Sequence, residues 1–150
     1  MTNIEAKNKA LSEESVSVQS HLTIMQSVIQ RMAANSTSCK AWCITIVSAI
    51  LVLIADKNKP ELALLALIPT ILFMALDAYY LALEKAFRTS YNIFIKKLHD
   101  QKLYSEDLFA VAPIGNMSSH QIESLKSLSV WGFYGALFIL VGIAKKLILA

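Results

Sequence analysis

Asp77 is the first residue whose chemistry needs an account, because it is a carboxylate inside the apolar run 62–83, LALLALIPTILFMALDAYYLAL. An ionised side chain within a bilayer costs about 2.5–3.5 kcal/mol on insertion scales, so it marks either a pair or an ion path. Lys40 offers the pair. It stands at the start of an earlier apolar run, 41–55, AWCITIVSAILVLIA. The polar turn joining the runs is centred between Asn58 and Lys59, and Lys40 and Asp77 are equally far from that centre. Two antiparallel helices joined by this turn bring ammonium and carboxylate to one depth. The same reflection brings Arg31 near Glu84, as a second, cytoplasmic pair. A structural Lys40–Asp77 ion pair is the favoured reading, with an ion-pathway carboxylate as its rival.

The other candidates are polar or small rather than reactive. Thr45 and Ser48 lie one turn apart, and Gly132, Gly135 and Gly142 give a late apolar run a small-residue face. Such residues suit close helix contact in a bilayer, and equally the wet wall of a pore. Cys39 and Cys43 share a helix face, but no further ligands nearby complete a metal site. His21, His99 and His120 are scattered. Neither a glycine-rich phosphate loop nor paired catalytic carboxylates nor a nucleophile beside a base is present. Arg88 and His99 stand too far apart for the compact Arg–His pair of small helical ribonuclease domains. The expectation is a protein that is not an enzyme and needs no cofactor or metal.

Helices must position these groups. Residues 11–34 predict an amphipathic cytoplasmic helix with the seam Val18, Leu22, Met25, Ile29 and Met32, at steps of three and four. That seam suits either packing on the same chain or an oligomer contact. Residues 36–55 predict a first membrane helix with Trp42 at headgroup level, and 61–83 a second, kinked at Pro69, where Thr70 can serve a freed carbonyl. The second helix continues into the cytoplasm over 84–103, with Phe87, Tyr91, Phe94 and Leu98 along one side. Residues 104–118 read as a connector. Ser118-Ser-His-Gln121 resembles a capping box for a last helix, 119–146, whose apolar part 128–144 either spans or re-enters.

The composition agrees with this picture. Hydrophobic residues make up 55% of the chain and charged ones 17%, where a soluble domain carries about a quarter charged residues. Mean hydropathy is +0.51. The fold class expected is an all-α membrane protein, a transmembrane helical hairpin with extended cytoplasmic helices and a C-terminal hydrophobic helix. The net charge of +3 suits basic flanks beside anionic lipid, and no dense basic stripe predicts direct nucleic-acid binding. The first apolar run begins too late for a secretory signal peptide. Lysine and arginine gather before the first run and after the second, which puts the N-terminus and 84–127 in the cytoplasm.

Several strings carry a resemblance: RMAANS at 31–36, CKAW at 39–42, LDAYYL at 76–81, EKAFR at 84–88 and the late Phe133-Tyr134. They resemble small bacterial inner-membrane proteins associated with phage defence. In architecture the chain is also similar to the pore-forming membrane accessory protein of RNA-targeting CRISPR systems. That resemblance implies a membrane effector that weakens the envelope of an infected cell. With the bilayer and further copies of itself as partners, the chain is expected to be an oligomeric, multi-pass inner-membrane protein that forms a pore or perturbs the membrane. The alternative is a membrane anchor recruiting a soluble defence partner through its cytoplasmic helices. An intramembrane enzyme or transporter centred on Asp77 is the further rival.

Overall fold

A computed structural model describes residues 10–57 and 59–149. Among them the chain is helical, with no strand. Helix α1 spans Val16–Lys57. A 3-10 segment, Pro60–Ala66, leads into α2, Leu67–His99. After a short 3-10 turn at Ser105–Asp107 come α3, Met117–Leu125, and α4, Leu128–Leu149.

Helix α1 runs unbroken for 42 residues because its sequence contains neither glycine nor proline. The expected division into 11–34 and 36–55 is therefore absent. One buried stripe, Val18, His21, Met25, Ile29, Met32, Ser36, Cys39, Cys43 and Val47, steps by three and four along its length and faces α2. The helices pair in opposite directions: Gln26 meets Tyr91, and Ser36 meets Asp77. At about 1.5 Å per residue, α1 is about 60 Å long, far more than one bilayer core.

Pro69 does not kink the second apolar run. Residues before it form a 3-10 helix, and α2 starts at Leu67. Pro69 then sits in the first α-helical turn, where its missing N–H is not required. The Thr70 hydroxyl donates to the Ala66 carbonyl at 2.8 Å. Helix α2 ends in a Schellman motif, with Gln101 at φ 55°. The Lys102 N–H returns to the Lys97 carbonyl at 2.9 Å and the Gln101 N–H to Leu98 at 3.1 Å.

The last helix differs from expectation in two ways. Asn116, not Ser118, caps α3, its side chain accepting from the Ser118 and Ser119 N–H groups at 3.0 and 3.4 Å. The helix expected over 119–146 is also broken. Ser127 takes the capping position for α4, its carbonyl accepting from Val130 and Trp131 at 3.1 and 2.9 Å. Helix α4 then continues past Lys145 and Lys146, so that region is longer than the run 128–144 suggested.

Three segments are long and apolar enough to cross a membrane: Val16–Lys57, Leu62–His99 and Leu128–Leu147. One core joins all three through Cys43, Val47, Ala66, Ala78, Val130, Tyr134, Leu137 and Val141. A second core lies at the other end of α1 and α2, where Val18, Met25, Phe94, Leu98 and Leu103 pack together. Val18, Met25, Ile29 and Met32 are buried in the single chain, and Leu22 is half-buried. The seam considered as an oligomer contact is thus largely covered by the chain's own α2 and the segment after it.

A buried polar cluster where three helices meet

Asp77 is 0% exposed, on the face of α2 that meets α1. The Ser36 hydroxyl donates to its Oδ1. The Lys40 Nζ stands 2.6 Å from its Oδ2, yet off the direction of a hydrogen bond, so that contact is chiefly electrostatic. Lys40 also donates to the Ser36 hydroxyl at 3.4 Å. Ser36 and Lys40 are one turn apart on α1, so both reach the same carboxylate. The Lys40 side chain keeps 19% of its surface exposed while its Nζ reaches in to the fully buried carboxylate.

Helix α4 completes the cluster. Tyr134 is fully buried and its hydroxyl donates to the Phe73 carbonyl at 3.1 Å, while also interacting with Asp77. Phe133 sets its ring edge against Tyr134 at 5.0 Å. Cys39 and Cys43, both buried free thiols, flank the cluster on the α1 side.

A serine one turn from a lysine is an arrangement that nucleophilic catalysis also uses. Here the Ser36 hydroxyl donates to the Asp77 carboxylate and accepts from Lys40, so its proton points away from the amine. Ser36 is itself only 6% exposed. The geometry fits a lock between helices rather than an attacking hydroxyl.

The reflection about the turn paired Lys40 with Asp77, but it did not identify Ser36 or Tyr134. Ser36 was detectable, because it lies one turn before Lys40 on the same face. Tyr134 was not, since a turn that reflects α1 onto α2 says nothing about how α4 is rotated. Arg31 and Glu84 are not joined. The Glu84 carboxylate instead accepts from Arg88 Nε at 2.8 Å, one turn along α2, and Arg31 is exposed. The shorter loop to a neighbour on the same helix outcompetes a pairing across two helices.

Thr45 and Ser48 face outward, and the Thr45 hydroxyl donates to its own helix at Ala41, 2.9 Å away. A methyl group added at Gly135 or Gly142 would meet no atom within 4 Å, and one at Gly132 would only touch Leu128 at 3.4 Å. None of the three glycines is therefore packed closely against another helix within the single chain.

Sequence reasoning also missed the segment 103–116, a strap across the far end of α1 and α2. Leu103 is buried, the Ser90 hydroxyl donates to the Ala112 carbonyl at 2.5 Å, and the Ile114 N–H to Ala86 at 3.4 Å. Gly115, at φ +117°, turns the strap into α3 beneath His120, where a Cβ would come within 2.5 Å of Nε2. Only glycine fits there. The chain matches no protein-family model, no curated protein and no solved structure, so the meaning of these features has to be read from their own geometry.

Proposed function

We propose that this chain is a multi-pass protein of the bacterial inner membrane, N-terminus cytoplasmic, whose copies assemble side by side and form a pore or perturb the bilayer. The observation that carries this reading is the outward face of α1. Ala34, Ser38, Ala41, Thr45 and Ser48 recur at steps of three and four and are all exposed, as far as the bulky, exposed Val52 on the same stripe. Outward positions elsewhere are bulky: Ile68, Ile71 and Leu72 on α2, Ile139, Leu140 and Ile143 on α4. Lipid tails suit bulky aliphatic faces, whereas a small and polar face lets another helix approach closely. On α4, Gly135 and Gly142 leave open space beside their backbone, with the exposed Ile139 between them on the same face. Contact of this α1 face with a different surface of a neighbouring copy is head-to-tail, and closes into a ring where the rotation permits.

Membrane depth has its own support. Trp42, Tyr79 and Trp131 are exposed, one on each long helix. Each lies within a turn of Lys40, Asp77 or Tyr134, so the three make an aromatic belt level with the polar cluster. The resemblance to phage-defence membrane proteins extends the proposal to an effector that compromises the envelope of an infected cell. In cells expressing the chain, a membrane-potential dye should report depolarisation, and Gly135→Leu should alter or block it. An unchanged potential with the wild-type chain present in the membrane would defeat the pore reading.

One observation favours the anchor reading as the second choice. Gln26, Gln30, Arg88, Tyr91 and Asn92 line an open groove of about 330 Å³ between α1 and α2, beyond the membrane part. A soluble partner would find hydrogen-bonding groups there. Under that reading the chain is found with its partner and leaves the potential intact.

A further inference from the structure

His21 is 1% exposed, in the second core rather than on the solvent side of α1. Its ring lies 4.4 Å from that of Phe94, tilted by 36°, with the Phe109 ring edge-on at 6.2 Å. Its Nδ1 accepts the backbone N–H of Phe109 at 2.9 Å. Only an unprotonated ring nitrogen accepts, so this bond assigns the neutral Nε2–H tautomer.

Phe109 needs that bond. It holds φ 62°, a left-handed conformation that a bulky residue keeps only when other contacts fix it. Its side chain is 63% exposed, so packing of the ring does little of the fixing. Among the described residues the Phe109–His21 contact is also the hydrogen bond that ties the strap to α1. The ties at Ala112 and Ile114 go to α2.

We propose that His21 is an acid-sensitive latch: protonation of its ring turns the acceptor for Phe109 into a donor and opens the strap that leads into α3. This inference does not depend on what the membrane helices do. Among the described residues the charged groups facing the ring are Asp107 from the strap and Lys97 from α2, which are paired with each other at 2.8 Å. Helix α1 supplies no charge within a turn of His21. Because Lys97 already engages the carboxylate, Asp107 is a weak counter-ion for a buried imidazolium. Burial accordingly holds His21 below its ordinary 6.5, with Asp107 only partly opposing it.

In the open strap the ring meets water and regains its ordinary value. The closed state is thus fully favoured above about pH 6.5 and loses that advantage as pH falls below it, towards the lowered closed-state value. Within that window each pH unit raises the open population by at most about tenfold, the limit for one proton.

The test is amide exchange across 108–114 in the full chain, held in lipid nanodiscs and corrected for the intrinsic pH dependence of exchange. Protection should fall between pH 7.5 and pH 5 in the wild type. In His21→Gln the strap should be equally protected, or equally open, at both values, while His99 and His120 remain in place. If that variant does not fold, nitrogen NMR of the wild-type imidazoles reads the same proposal. The Nε2–H tautomer at neutral pH with a midpoint below 6.5 supports it. Protection that ignores pH in the wild type, a pH response retained by His21→Gln, or an Nδ1–H tautomer would overturn it.

Discussion

At Asp77 the two carboxylate oxygens are served by different groups, a hydroxyl on Oδ1 and an ammonium beside Oδ2. Removing one partner of a buried pair leaves the other charge uncompensated, which typically costs about 3–5 kcal/mol. Lys40→Ala should therefore lower the thermal stability of the detergent-purified protein sharply. Asp77→Asn should cost less, because the amide oxygen can still accept from Ser36 and the Lys40 side chain, 19% exposed, already meets solvent. Exchanging the two, Lys40→Asp with Asp77→Lys, should recover part of the loss. A double-mutant cycle measures the coupling, and a value indistinguishable from zero would remove the ion-pair account. The pair was legible in the sequence because a short turn imposes a reflection. Arg31 and Glu84 come within two residues of the same reflection without being joined, because Arg88 lies one turn from Glu84 and reaches it first. Distance along the chain sets depth, but it does not decide which of several neighbours wins.

Among the elements, α1, α2 and α4 were legible as apolar runs, and their junctions were not. Period and hydropathy say where a helix can be, while the break at Ser127 and the 3-10 start before Pro69 depend on how few hydrogen bonds must be surrendered there. Ala63 and Ala66 in that 3-10 segment are both 0% exposed, and Ala66 belongs to the core shared with Val141 and Leu137. Ala66→Leu should overpack this contact, at a cost of about 1–3 kcal/mol, read as a lower unfolding temperature. Ala66→Gly, which adds no volume, should leave the spacing of α4 intact. The strap was read only as a connector because it has no periodicity, and apart from Asp107 its ties use its own backbone groups, which carry no residue-type signal. Asn116→Ala should cost about 1 kcal/mol as a lost cap. It should appear as faster amide exchange confined to the first turn of α3, and an unchanged rate there would contradict the cap.

For the whole molecule, the consequence of the fold is where its unsatisfied surface ends up. The seam from Val18 to Met32, the most suggestive oligomer signal in the sequence, is largely spent on packing within the chain. The outward stripe of α1 was half-visible as Thr45 and Ser48. Its full length could be recognised only once α1 proved continuous and its buried side was known. The most direct test of the proposed assembly is the mass of the particle in lipid nanodiscs or mild detergent, for the wild type and for Ala41→Leu with Ser48→Leu. The account predicts a discrete multimer for the wild type. The double variant should give a smaller particle that still inserts and keeps the unfolding temperature set by the Lys40–Asp77 cluster. A wild-type chain that is strictly monomeric in every bilayer and detergent, or a multimer indifferent to both leucines, would contradict it.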